Sequence, residues 1–153
     1  MNDQVKAAVK KLDDYQQAGA EESIARWQSE LRAKYKEIRL DKGFTRDEVQ
    51  NQLDIMALVL PTITVPISCI RMRYDTNRST FELWRKTGSY YEARYLHRVN
   101  EVKLGSTTDW PSLVVEDCGD GCYFLKDGYN RFWALKNEGP PESKVNVVVA
   151  SKR

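Results

Sequence analysis

The stretch Tyr123-Phe-Leu-Lys-Asp-Gly-Tyr-Asn-Arg-Phe-Trp-Ala-Leu-Lys136 changes its period half-way along. Tyr123, Phe124 and Leu125 read as a short buried strand, and Asp127-Gly128 as a turn. Phe132, Leu135 and Lys136 then return at helical spacing, until Gly139-Pro140-Pro141 stops the helix. A strand feeding directly into a helix gives a mixed α+β chain. It also places Gly128, Asn130 and Arg131 at a helix N-terminus, where free backbone N–H groups and about half a positive charge suit a phosphate or another anion. Lys126 adds a cation beside the turn and Asp127 a carboxylate. The plainer alternative is a structural Asp-Gly turn whose arginine is solvated or paired with a carboxylate.

From Pro61 onward, the pattern predicts a strand from Ile63 to Met72, a helical stretch and a strand from Ser112 to Glu116. The strand at Tyr123, the helix at Asn130 and a last strand from Val145 to Val149 follow. Three segments stand out in this order: Val65-Pro-Ile-Ser-Cys-Ile70, Pro111-Ser-Leu-Val-Val115 and Tyr123 through Ala134. Together with Val145-Asn-Val-Val-Val149 they resemble the ParB N-terminal and sulfiredoxin-like superfamily. The resemblance implies a small mixed sheet with packed helices and a phosphate-facing turn, which relatives use for nucleotides and sometimes for phosphoryl transfer or nucleic-acid cleavage. It falls most firmly on Gly128 and Arg131, and less so on Asp127 and Asn130. It also implies a prokaryotic or mobile-element origin. Two departures narrow it. Sulfiredoxins carry a reactive cysteine directly after the turn glycine, where this chain has Tyr129, so sulfinic-acid repair is not expected. ParB clamps continue into a helix-turn-helix domain, and a full clamp is not expected in 153 residues.

The N-terminal third is rich in Ala, Gln, Glu and Lys and predicts helices. Val5, Ala8, Val9 and Leu12 make one apolar face. After the break at Gln16–Ala20, Ile24, Trp27, Leu31, Tyr35 and Ile38 make a second. Residues 1–43 therefore read as a helical hairpin extension, and residues 44–153 as the ParB/sulfiredoxin-like domain. Thr45-Arg-Asp-Glu48 matches a capping box and starts a third helix, with Val49, Leu53, Met56 and Leu60 facing the sheet. The hairpin either covers its own sheet or offers a face for self-association or a protein partner.

A chain of 153 residues with 41% hydrophobic and 30% charged residues is long enough to bury a core. No apolar run approaches the roughly 20 residues of a membrane span, and no signal peptide opens the sequence. Three cysteines, Cys69, Cys118 and Cys122, do not make a disulfide framework. A cytoplasmic location is expected on these grounds. With 24 basic and 22 acidic side chains, the net charge of +2 requires any nucleic-acid surface to be local. The candidate segment runs from Arg71 to Arg98. Its Arg71, Arg73, Arg78, Tyr90, Arg94 and Arg98 are expected as contacts to phosphates and unpaired bases, the alternative being a solvated helix face. Ser79-Thr-Phe-Glu82 and Ser89-Tyr-Tyr-Glu92 match capping boxes and predict two helices there, with Tyr91, Tyr95, Val99 and Val102 on the buried stripe of the second.

Other chemistry has little support. Cys118 and Cys122 are two sulfur ligands where structural zinc takes four, so no metal site is expected. One histidine, His97, and no Gly-x-x-x-x-Gly-Lys-Ser/Thr segment argue against acyl transfer and a P-loop. The expected function is a nucleotide- or nucleic-acid-binding regulatory factor with its phosphate cradle at Lys126, Gly128, Asn130 and Arg131. Two alternatives stay open. One is an enzyme of phosphoryl transfer or nuclease type, with Asp127 as acid, base or metal ligand and a nucleotide with Mg2+ as cofactor. The other is a non-catalytic scaffold that works through the N-terminal helices.

Overall fold

Thr62 to Arg71 runs in one direction but pairs on two sides of the same sheet. The computed structural model describes residues 2–38, 40–72, 78–87 and 89–152, with the backbone alone for 79, 84, 87 and 89–91. In it β1 (Thr62–Pro66) and β2 (Ile70–Arg71) are separated by a 3-10 turn at Ile67–Cys69. The single strand expected from Ile63 to Met72 is thus broken. Pro66 cannot donate to a ladder, and the Ile67 N–H turns instead to the Ser143 carbonyl at 2.9 Å. The other strands are β3 (Leu113–Asp117), β4 (Tyr123–Asp127) and β5 (Lys144–Lys152), in the order β1-β5-β3-β4-β2. β1 pairs antiparallel with β5 and β3 antiparallel with β4, while β3–β5 and β2–β4 are parallel.

This order forces curvature. Five strands spaced about 4.8 Å apart would set the edges of a flat sheet about 19 Å apart. One 3-10 turn rises only about 6 Å. Since β1 and β2 are the two edges, the sheet curls until they approach each other.

Helices cover both faces. In the N-terminal region α1 (Asp3–Gln17), α2 (Glu21–Glu37) and α3 (Arg46–Val59) form one layer. Tyr35, Leu53, Met56, Ala57 and Leu60 pack there on Val114, Val148 and Ala150. Thr45 and Glu48 complete the capping box that starts α3. On the opposite face α4 (Arg78–Thr87), α5 (Ser89–Lys103) and α6 (Tyr129–Glu138) enclose Leu113, Val115, Leu125 and Val147 with Phe81, Tyr95, Val99, Phe132 and Trp133. The two sets alternate along β3 and β5, as a pleated strand requires.

The hairpin α1–α2 lies on its own chain. Trp27, Leu31 and Val59 share a cluster with Ala8. Gln52 donates to the Leu31 carbonyl at 3.0 Å, Gln28 to the Val59 carbonyl at 2.9 Å and Arg32 to the Val149 carbonyl at 3.0 Å. No helix among the described residues is long and apolar enough to cross a membrane.

Candidate functional site

The β4–α6 junction is built around Gly128. Its φ is +100°, and an added Cβ would stand 2.4 Å from Leu113 Cδ2 and 3.1 Å from an Arg131 nitrogen. Only glycine satisfies both the backbone and the space. Gly128 caps α6 without a side-chain hydrogen bond. The N–H of Phe132 bonds to the Gly128 carbonyl at 2.9 Å, and Tyr129, Asn130 and Arg131 of the first turn of α6 line a cavity.

That cavity has a volume of about 780 Å³. Its walls come from α3, α5, the end of β4 and the start of α6, with Asn2, Val5 of α1, Phe81 and Pro111 completing them. Lys126, Asp127, Gly128, Asn130 and Arg131 all line it, and so do Arg94 and Arg98. Arg71 and Arg78 stand elsewhere. Arg71 pairs with Asp120 at 3.0 Å in the β3–β4 turn, while Arg78 donates to Asn137 at 2.8 Å and lies over the Trp133 ring at 4.7 Å. Arg73 and the Tyr90 and Tyr91 side chains lie outside the described residues, as do the Ser79 and Ser89 side chains of the two expected capping boxes. The basic segment therefore contributes two arginines to one cavity rather than a continuous track.

Arg131 is buried, and its guanidinium hooks back to the Pro111 carbonyl and, at 3.4 Å, to that of Ser112, with Asp127 at 3.9 Å. It ties the start of α6 to the entrance of β3. Burial pushes its pKa down, Asp127 pulls it back up, and the nearby Arg98 and Arg94 lower it further. Arg94 and Arg98 thus lie within electrostatic reach of Arg131, and Arg98 itself pairs with Glu101 at 2.9 Å. Cations gathered in this way suit an anion entering the cavity.

The opposite wall was not foreseen. From α3, Arg46, Asp47, Gln50 and Asp54 line the same cavity. The Gln50 amide donates to Asp54 at 2.9 Å and approaches both Asp127 oxygens at 3.4 and 3.5 Å. Burial pushes the Asp127 carboxyl above the usual carboxylate range, and Asp54 adds to the rise, while Arg131 and Gln50 oppose it. The only sequence signal for this wall was the i, i+4 spacing of Gln50 and Asp54 on the flank of an apolar stripe.

Two carboxylates at the end of β3 are engaged elsewhere. Glu116 is buried and accepts from the Tyr35 hydroxyl at 2.7 Å, and Asp117 accepts from the Gly119 N–H at 2.8 Å. His97 is exposed beside Glu101 at 3.4 Å. No group of three or more His, Cys, Asp or Glu among the described residues could hold a metal ion. Comparison of the chain with protein families, with curated proteins and with solved structures finds no match.

Proposed function

We propose that this chain is a regulatory factor that binds a nucleotide or a nucleic-acid end in the cavity beside α6. One observation carries the reading: Arg46, Arg94, Arg98, Lys126 and Arg131, from α3, α5, β4 and α6, line one cavity at an α6 N-terminus without a side-chain cap. Its volume of about 780 Å³ lies in the range of small-ligand sites, so one or two nucleotides fit better than an extended duplex. The phosphates would meet the first-turn N–H groups and the guanidinium groups of Arg94 and Arg98. Asn130 and Lys126 flank them, and Arg131 holds the turn in shape. The α3 wall, with Gln50 and Asp54 among Leu53, Ala57 and Leu58, offers amide and carboxylate groups to the rest of the ligand. The resemblance of Tyr123 through Ala134 to the ParB N-terminal and sulfiredoxin-like turn points to the same ligand class and to a prokaryotic or mobile-element setting.

The test is binding of a panel of ribonucleotides, deoxynucleotides and short oligonucleotides, with and without magnesium, read by thermal stabilisation and titration calorimetry. Arg94→Gln is expected to weaken the best ligand by about 1.5–3 kcal/mol, as loss of a charge-assisted contact does. Arg78→Gln, outside the cavity, should leave affinity unchanged. If the two variants behave alike, the cavity is not the site.

A second reading rests on Asp127. A carboxyl with raised proton affinity inside a cavity suits a general acid or base for phosphoryl transfer or phosphodiester cleavage, with magnesium carried in by the phosphates. Magnesium-dependent turnover that survives Asp127→Asn would remove it. The scaffold alternative draws no comparable support, because Trp27, Leu31 and Tyr35 are turned into the chain's own core.

A further inference from the structure

At the end of β4 remote from Asp127, the β3–β4 hairpin closes through Cys118-Gly-Asp-Gly-Cys122. Asp117 stands opposite Tyr123 in the ladder, and one step further the Cys118 N–H donates to the Cys122 carbonyl at 3.1 Å. The two cysteines are therefore cross-strand neighbours at the mouth of a three-residue loop. Hydrogen-bonded antiparallel neighbours have Cα atoms about 5.5 Å apart and side chains on one face, within the span of about 4.4–6.8 Å that a disulfide bridges.

The loop is held for this approach. Gly119 and Gly121 adopt φ of +83° and +82°, which side-chain-bearing residues rarely take. The Asp120 carboxylate accepts from the Cys122 N–H at 3.2 Å and from Arg71 at 3.0 Å. Both thiols are reduced and partly exposed. The Arg71 guanidinium lies within electrostatic reach of both, its pKa raised first by Asp120 and then by Cys122, with Cys118 contributing. The thiolate is the attacking species in disulfide exchange.

We propose that Cys118 and Cys122 are a reversible dithiol–disulfide pair, a redox modification site at the tip of the β3–β4 hairpin. One cysteine thiolate attacks a low-molecular-weight disulfide such as glutathione disulfide, forming a mixed disulfide and releasing one glutathione. The second cysteine thiolate then attacks the protein-side sulfur, forming the Cys118–Cys122 bond and expelling the second glutathione. Two cysteine thiols are oxidised, one disulfide is reduced to two thiols, and the two cysteine protons end on glutathione. A short, exposed loop of this kind belongs with the labile class of disulfides rather than the structural one. Cys69 lies in the 3-10 turn before β2.

The full chain is equilibrated in graded mixtures of oxidised and reduced glutathione, trapped with iodoacetamide and analysed by peptide mass spectrometry. The expected product lacks the two thiol hydrogens in the peptide holding Cys118 and Cys122, carries alkylated Cys69 and reverts with dithiothreitol. In Cys122→Ser, glutathione should remain attached to Cys118. Phenylarsine oxide, which bridges closely spaced thiols, should bind the reduced protein one to one and leave Cys122→Ser unlabelled. Separate glutathione adducts on both cysteines, complete alkylation of both under oxidising conditions, or no uptake of the arsenical would each overturn the pairing.

Discussion

Asp127 keeps its proton more tightly in the folded chain than it would in water, because burial outweighs the opposing Arg131 and Gln50. Its pKa rises on folding, so the folded state binds more protons than the unfolded state between the usual aspartate value of about 4 and the raised one. The stability this group contributes is therefore complete below about pH 4 and is lost as pH rises through the folded value. Asp127→Asn removes the titration. The wild type should lose stability relative to that variant as pH rises from about 4 through the raised value, as read by urea unfolding at each pH. A difference between the two proteins that does not change with pH would show that folding does not raise the proton affinity of this carboxyl. At this scale the sequence was partly legible. The turn chemistry of Asp127-Gly128 and the placement of Asn130 and Arg131 in the first turn follow from local rules. The bond from Arg131 to Pro111 does not, because it joins residues 20 positions apart through the pairing of β3 with β4.

At the scale of elements, the β4–α6 junction carries both the site and the packing of α6 on β3. Gly128→Ala brings a Cβ into Leu113 and forces an L side chain into a positive φ. Strain of about 1–2 kcal/mol and overpacking of about 1–3 kcal/mol should together lower stability by about 2–5 kcal/mol in denaturant unfolding. A loss below half a kcal/mol would mean that the turn relaxes around the methyl group. Elements with local signals were readable from sequence: the Thr45–Glu48 capping box, the α3 stripe and the Gly139 stop all specify themselves within one or two turns. The division of the Ile63 to Met72 run into β1 and β2 was not readable. Pro66 marks where a ladder would lose a donor, but nothing local shows that the two halves take partners on opposite sides of the sheet.

For the whole molecule, the question is whether residues 1–43 are an appendage. Gln28, Arg32, Tyr35 and the Leu31 carbonyl all bond across to α3 or the sheet, and Tyr35 supplies the hydroxyl that buried Glu116 accepts. A chain starting at Phe44 would take Tyr35 out of the Met56–Val148 cluster, strip Trp27 and Leu31 from Val59 and leave a buried carboxylate without that donor. It should melt well below the full chain or aggregate, and the full chain should unfold in one transition by calorimetry. A shortened chain with an unchanged melting temperature would restore the hairpin to the status of a separate module. The near-balanced charge is informative here too: the cations that matter are gathered from four elements by the fold, which no count along the sequence can register.

The curled sheet has a consequence for the order in which the molecule can be made. β1 has a single neighbour, β5, although some 80 residues separate them. While synthesis proceeds from the N-terminus, the first edge strand waits with its ladder groups open until the last of the five strands leaves the ribosome. In the finished sheet β5 lies between β1 and β3 and pairs with both. The hairpin of α1 and α2 precedes α3 in the chain and packs on it, so that contact does not have to wait for the sheet to close.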